Sequence, residues 1–288
     1  MADLFAAGGK RLRPALVLLA ARCGRYDLEQ LTPAAMAVEL THAATLVHDD
    51  VIDRSAVRRG RPTVAASLGD EPAIVIGDFY FAKAYEHAAR THSTEVVGIL
   101  ARAVMEICAG EVRQQAIRHL YSTDVNEYMR RIEAKTATLL AACCDIGARL
   151  AELSQQQRRA FHNYGQMLGL AFQIADDVLD YLGTVGEIGK PIGQDIAEGF
   201  ATLPLMLAME DSTAANKLNK ILHDGRKLST QEAREVVQVV RESGAPDRAL
   251  ERARDYAAKA RAELEALDRG EARDALAALT DYVVSRKL

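Results

Sequence analysis

Apolar residues recur along this chain in long runs at helical spacing, broken by short polar stretches. The segment from Pro33 to Ile52 is apolar nearly all round, apart from Glu39, Thr41, His42, Thr45, His48 and a terminal group of acids. Thr32-Pro33 reads as its start, a capping threonine followed by a proline at the first helical position. A helix apolar on every side is buried, so its polar exceptions must be paired or functional. A turn-like Arg59-Gly60-Arg61-Pro62 follows. Further helices are predicted from Ala73 to Arg90, Thr94 to Leu120, Asn126 to Glu152 and Gln155 to Tyr181. The glycines and proline between Gly183 and Gly193 predict one long, polar, central loop. The apolar pattern resumes from Leu203 to Met209. Ser229-Thr230-Gln231-Glu232 reads as a capping box, Gly244 closes that helix, and Pro246 opens another toward Leu267.

Composition narrows this to an all-α fold. Alanine, leucine, arginine and glutamate are abundant, proline is scarce and tryptophan absent. With 288 residues, 49% of them hydrophobic, the chain can bury one large core without disulfides or metal, and one domain spanning 1–288 is the expectation. Cys23, Cys108, Cys143 and Cys144 show neither a secreted disulfide framework nor a zinc-site spacing, which suits reduced thiols in the cytoplasm. The first residues lack the charge and length of a signal peptide, and no apolar run approaches the roughly 18 residues of a membrane span. A net charge of −4 argues against a general nucleic-acid surface. Two local clusters, Lys10-Arg11-Leu12-Arg13 and Arg58-Arg59-Gly60-Arg61, are nonetheless strongly basic.

The chemistry lies in two copies of one acidic pattern, Asp49-Asp50-Val51-Ile52-Asp53 and Asp176-Asp177-Val178-Leu179-Asp180. Residues four apart share a helix face, so Asp49 pairs with Asp53 and Asp176 with Asp180. Set in apolar helices, such carboxylates repel one another and take up protons unless cations compensate them. Magnesium takes one or two carboxylates and fills its other positions with water and phosphate oxygens, which suits a protein–metal–diphosphate arrangement. A calcium cage would want a loop of alternating oxygen ligands, and zinc would want thiolate or imidazole. Neither is present beside the acids.

In this order and spacing the motifs resemble the all-trans polyprenyl diphosphate synthases, head-to-tail prenyltransferases of the isoprenoid synthase fold. They run from Gly8-Gly9-Lys10-Arg11-Leu12-Arg13-Pro14 through His42, both acidic clusters and Arg58-Arg59-Gly60-Arg61-Pro62. Gly77-Asp78-Phe79, Gly110-Glu111 with Gln114, Lys135-Thr136, Phe172-Gln173 and Gly189-Lys190-Pro191 with Asp195 complete the match. The resemblance implies a bundle of long antiparallel helices around an apolar cavity, with both clusters facing each other at its mouth. It implies three magnesium ions, with manganese as the alternative, held by Asp49, Asp50, Asp53, Asp176, Asp177 and Asp180 on an allylic diphosphate. Arg58, Lys135, Thr136, Gln173 and Lys190 would complete that site, and Lys10, Arg13, His42 and Arg59 would hold isopentenyl diphosphate. Asp49, Asp53, Asp176, Lys135 and Lys190 would carry the catalysis. Metal-assisted loss of diphosphate would leave an allylic cation, shielded from water by aliphatic walls and flanked by Phe172, which the second substrate attacks. The implied assembly is a homodimer, with pairing to a dissimilar subunit as its alternative.

Product length is read from the residues about one turn before Asp49. Ala44 and Thr45 lie roughly 6 to 8 Å from it along the helix. Short-chain members place a bulky aromatic there. Its absence predicts a product longer than twenty carbons, with the floor set deeper by Phe79, Tyr80 or Phe81. Two departures accompany the resemblance. Only seven residues precede Gly8, too few for the helix the family has there, and Phe200 stands where many members carry a lysine near the diphosphate. A terpene cyclase of the same fold would not need Lys10, Arg13 and Arg59. A non-catalytic regulatory subunit would be expected to have lost acids or arginines that this chain keeps.

Overall fold

The computed structural model describes residues 11–183, 192–222 and 226–285, and these form an all-α protein. Among the described residues the sole sheet is a hairpin of two-residue strands, β1 (Val57–Arg58) and β2 (Arg61–Pro62). The remaining elements are helices. In the first part of the chain they are α1 (Leu12–Ala21), α2 (Leu28–Ile52), α3 (Val64–Leu68), α4 (Asp70–Ala89) and α5 (Thr94–Ala116). Next come α6 (Val125–Ile132), a π turn (Glu133–Ala137), α7 (Thr138–Leu150) and α8 (Gln155–Leu182). The chain then forms α9 (Gln194–Glu198), α10 (Leu203–Ala208), α11 (Ser212–Leu218), α12 (Thr230–Glu242), α13 (Ala245–Glu263) and α14 (Glu271–Ser285). Among the described residues no helix is long and apolar enough to cross a membrane.

Two sequence-level boundaries change. Helix α2 begins five residues before Pro33, because Asp27 caps it by accepting the Glu29 N–H at 3.0 Å. The Thr32 hydroxyl instead turns back to the Leu28 carbonyl, and Pro33 is accommodated inside the helix. The helix expected from Asn126 to Glu152 is interrupted by the π turn, where the Thr138 N–H reaches back five residues to the Glu133 carbonyl. The turn at Arg59-Gly60 is a hairpin loop, both residues having positive φ (51° and 73°), the backbone of a two-residue primed turn. The capping box at Ser229 and Glu232 is present on α12, and Gly244 (φ 70°) separates α12 from α13. Most of the loop predicted between Gly183 and Gly193 lies outside the described residues.

The chain divides into two compact units. One comprises the chain up to Val104 with Leu139–His162 and Glu265–Leu276; the other comprises Met105–Thr138, Asn163–Leu264 and the chain from Ala277. They interleave in sequence, so no single cut separates them.

In the first unit α4 packs back along α2. The buried face of α4 is built from small residues, Ala73, Gly77, Ala84 and Ala88, with Tyr80 as its one large member. Ala44 and Val47 of α2 join Ala73 and Tyr80 in a single buried cluster, flanked by Leu40, Val51, Ile76 and Phe81. In the second unit the core gathers around three fully buried tyrosine and isoleucine side chains, Tyr128, Tyr181 and Ile174, with Val178, Leu205 and Val236.

Gly77 explains one motif of the sequence. The His48 imidazole of α2 lies where a side chain at 77 would project, with Nε2 at 3.1 Å from the Ile74 carbonyl oxygen and 3.5 Å from Asp78 Oδ1. Even a methyl group at 77 would collide with that ring. Gly77→Ala should therefore lower stability by about 1–3 kcal/mol through overpacking. Urea denaturation would show this as a lower midpoint at unchanged slope.

Candidate active site

In the first unit the candidate residues are carried by α2 and the hairpin after it. Asp49 and Asp53 are half-buried, Asp53 being the last residue of the helix turn. Asp50 points the other way and is buried, and Arg58 Nε donates to its Oδ1 at 2.7 Å. A lone carboxylate there would be strongly disfavoured, and the guanidinium supplies both countercharge and hydrogen bond. The middle acid of the first cluster is thus a structural partner of Arg58, and the hairpin that places Arg58 also presents Arg59 beside it.

Two turns before Asp49, on the same face of α2, stands His42. Burial lowers its pKa well below the ordinary histidine value, and the charges of Arg13, Arg59, Arg58 and Arg11 lower it further. Arg13 is held below its own ordinary value, chiefly by burial. Arg11 is ion-paired to Glu39. Arg13 and Arg59 thus contribute to a local positive field at His42, while Lys10 lies outside the described residues.

Ala44 is fully buried against the α4 cluster, and half-buried Thr45 gives its hydroxyl to the His42 carbonyl at 2.8 Å. Of the aromatics proposed as a floor, Tyr80 joins Ala44 while Phe79 is 44% exposed and lies near Lys83. Neighbouring helical residues point about 100° apart, so only one of the two can face α2. Phe79 therefore drops out of the floor.

In the second unit the candidate residues belong to α8 and the π turn. Asp176 is exposed, whereas Asp177 and Asp180 are buried. The oxygens of Asp180 accept the backbone N–H groups of Gln194 (3.2 Å) and Asp195 (3.1 Å), which opens α9. Asp177 Oδ2 accepts the Tyr128 hydroxyl at 2.7 Å and Oδ1 accepts Gln173 Nε2 at 2.8 Å. Burial and the charge of Asp195 push the Asp177 carboxyl up to about 8, against the pull of those two donors. The Thr136 hydroxyl donates to Gln173 Oε1 at 2.7 Å. Lys135 pairs with Glu111 at 3.2 Å, and Gly110 lets α5 approach the π turn, since a Cβ there would sit 2.6 Å from that of Ala134. This accounts for Gly110-Glu111 as a motif. Phe172 is half-buried, and Lys190 lies outside the described residues.

Sequence reasoning missed Tyr128 and Arg131. Arg131 is buried, donates to the Ala201 carbonyl at 2.6 Å and lies over the Tyr128 ring at 5.5 Å. Phe200 is buried with Arg118 and Arg131 over its ring at 5.2 and 5.9 Å. A lysine at 200 would meet two guanidiniums, so aromatic stacking on arginine replaces a cation at this position.

Among the described residues no three His, Cys, Asp or Glu side chains are gathered as a metal cage; in the first unit Asp49 and Asp53 are half-buried, and in the second Asp176 is exposed. Hard oxygens in ones and twos, completed by ligand oxygens, are what magnesium accepts.

The folded pKa of His42 lies below the unfolded value, so its contribution to stability is present above about pH 6.5 and is lost as pH falls through the folded value. A bound anion favours the imidazolium. The His42 resonance should titrate well below 6.5 in the free protein and move upward when inorganic pyrophosphate is added, as followed by NMR.

Comparison with known proteins gives the family. Residues 1–240 match the family model described as polyprenyl synthetase. The chain is 38% identical over 283 residues to heptaprenyl diphosphate synthase component 2 of Geobacillus stearothermophilus, covering 98% of this chain and 88% of that one. It is also 38% identical over 246 residues to a short chain isoprenyl diphosphate synthase of Methanocaldococcus jannaschii, covering 83% and 75%. A crystal structure of a polyprenyl synthase from Caulobacter crescentus CB15, complexed with calcium and isoprenyl diphosphate, superposes with a TM-score of 0.93 at 41% identity, covering 99% and 88%. The chain belongs to the polyprenyl synthetase family.

Proposed function

We propose that this protein condenses isopentenyl diphosphate with an allylic diphosphate, head to tail, to give a trans polyprenyl diphosphate longer than twenty carbons. One observation carries the reading: α2 bears an outward acid pair, Asp49 and Asp53, and two turns earlier a histidine immersed in the field of four arginines. An enzyme with a single diphosphate substrate would need the first feature but not the second.

Asp49, Asp53 and Asp176 would hold the magnesium ions, while Asp50, Asp177 and Asp180 accept hydrogen bonds from groups of the protein. When bound, magnesium supplies Lewis-acid polarisation of the allylic diphosphate. Arg13, His42 and Arg59 bind the second diphosphate, the guanidiniums as bidentate forks and the imidazole as an N–H donor. Lys135, steadied by Glu111, presents its ammonium to the allylic diphosphate as a point charge. The active form is a cytoplasmic homodimer. A dissimilar partner is the second reading, because one relative is named as component 2 of a synthase.

Incubating the purified protein with isopentenyl diphosphate, each allylic primer and magnesium should yield elongated products. Asp49→Ala should reduce turnover by a hundredfold or more, since each such carboxylate contributes several kcal/mol of positioning and charge compensation. No elongation with any primer, with or without an extract supplying a partner subunit, would sink the reading.

Product length is the finer part, and relatives of equal identity bear names for both long and short products. The small residues Ala44 and Thr45 support the longer one, with Tyr80 as the large side chain nearest Ala44. Ala44→Phe should shift the products to twenty carbons or fewer, resolved by chromatography after the diphosphate is removed. An unchanged distribution from a variant with a native melting profile would refute the length assignment.

A further inference from the structure

Four side chains of the second unit form one buried relay. Tyr128 donates to Asp177 Oδ2 at 2.7 Å, Gln173 Nε2 donates to Asp177 Oδ1 at 2.8 Å, and the Thr136 hydroxyl donates to Gln173 Oε1 at 2.7 Å. Their chemistry leaves little freedom. In the ionised form of Asp177 both oxygens accept, from Tyr128 and from the Gln173 amide nitrogen, so the amide oxygen faces Thr136. One N–H of that amide is then left for a ligand oxygen on the half-buried side of α8. The hydroxyl proton of Thr136 is already given to Gln173. Diphosphate oxygens only accept hydrogen bonds, so Thr136 has no proton to offer them while the relay stands.

We propose that Tyr128 is a positioning residue for the allylic diphosphate: acting through Asp177, it sets the Gln173 amide so that a single N–H is aimed at the substrate, with Thr136 bracing the amide from the other side. The inference rests on the functional reading above and departs from what the resemblance implied at two residues. Thr136 becomes a brace rather than a contact. Asp177 belongs to the relay, which leaves Asp176 as the metal-facing acid of its pair. Tyr128 can serve this way because it does not move. It is buried to about 1% exposure and packed among Ile132, Ala137 and Ile174, with the Arg131 guanidinium over its ring.

A relay behaves as a unit, whereas a residue that merely fills the core does not, and the test uses that difference. Binding of geranylgeranyl diphosphate with magnesium, and separately of isopentenyl diphosphate, would be measured by calorimetry on the full chain and on three single variants. These are Tyr128→Phe, which removes only the hydroxyl, Thr136→Val, which removes the brace, and Gln173→Leu, which removes the amide. Each should weaken geranylgeranyl diphosphate roughly tenfold, the value of one well-made hydrogen bond to a charged group, and leave isopentenyl diphosphate unchanged. The double variant Tyr128→Phe/Gln173→Leu should bind no more weakly than Gln173→Leu alone.

Additive losses, equal losses for both substrates, or undiminished binding by Tyr128→Phe would overturn the proposal. If Tyr128→Phe does not fold, Thr136→Val decides by the same criteria, since it touches the amide without disturbing Asp177. Failure of the unsubstituted protein to bind or elongate either substrate would instead overturn the functional reading, and the relay's role with it.

Discussion

Carboxylates placed in apolar helices must be compensated, and much of this protein is arranged to meet that demand. Asp50 would be a severe liability alone at the end of α2. Its neutralisation requires Arg58, Arg58 requires the chain to reverse directly after α2, and the reversal is the hairpin with its two left-handed residues. The same turn sets Arg59 close enough to contribute to the field at His42. One buried ion pair thus organises the basic half of the candidate site.

The second cluster meets the same demand differently. Its three aspartates sit in one five-residue stretch of α8, yet each has a different environment. Asp176 is exposed, Asp177 accepts from Tyr128 and Gln173, and Asp180 collects the backbone N–H groups that begin α9. Division of labour within a repeated motif follows from helix geometry. Residues one apart point about 100° apart, so no more than part of such a cluster can face a metal while the rest must find partners in the protein.

The π turn shows how a local irregularity serves the site. An extra residue in α6–α7 turns Lys135 toward Glu111 and Thr136 toward Gln173. Such turns recur at functional positions because they re-aim side chains without ending a helix. Gly110 opposite Ala134 is the complementary adjustment, allowing α5 to come close. Phe200 is a further case, its ring held between two arginines where a lysine would be repelled.

Some of this was legible in the order of residues. Helical periodicity, the capping box at Ser229, the paired acids at i and i+4, and the basic residues around His42 are properties of near neighbours, and near-neighbour geometry follows from the helix itself. The start of α2 was misread because both Asp27 and Thr32 can cap, and the choice depends on which residues become buried. The π turn was invisible because Glu133–Ala137 has ordinary helical composition and is held open by contacts from α5 and α8. Tyr128 and Arg131 carried no signal, since a buried tyrosine and a lone arginine resemble any others until their partners are known. Phe79 and Tyr80 were equivalent in sequence and differ only in which one turns toward α2. By itself, then, the sequence determined the helices, the acid pairs and the sign of the local charge, all set within a few residues. Tertiary structure alone decided which acids are buried and which stay at least partly exposed, because burial is set by residues dozens of positions away.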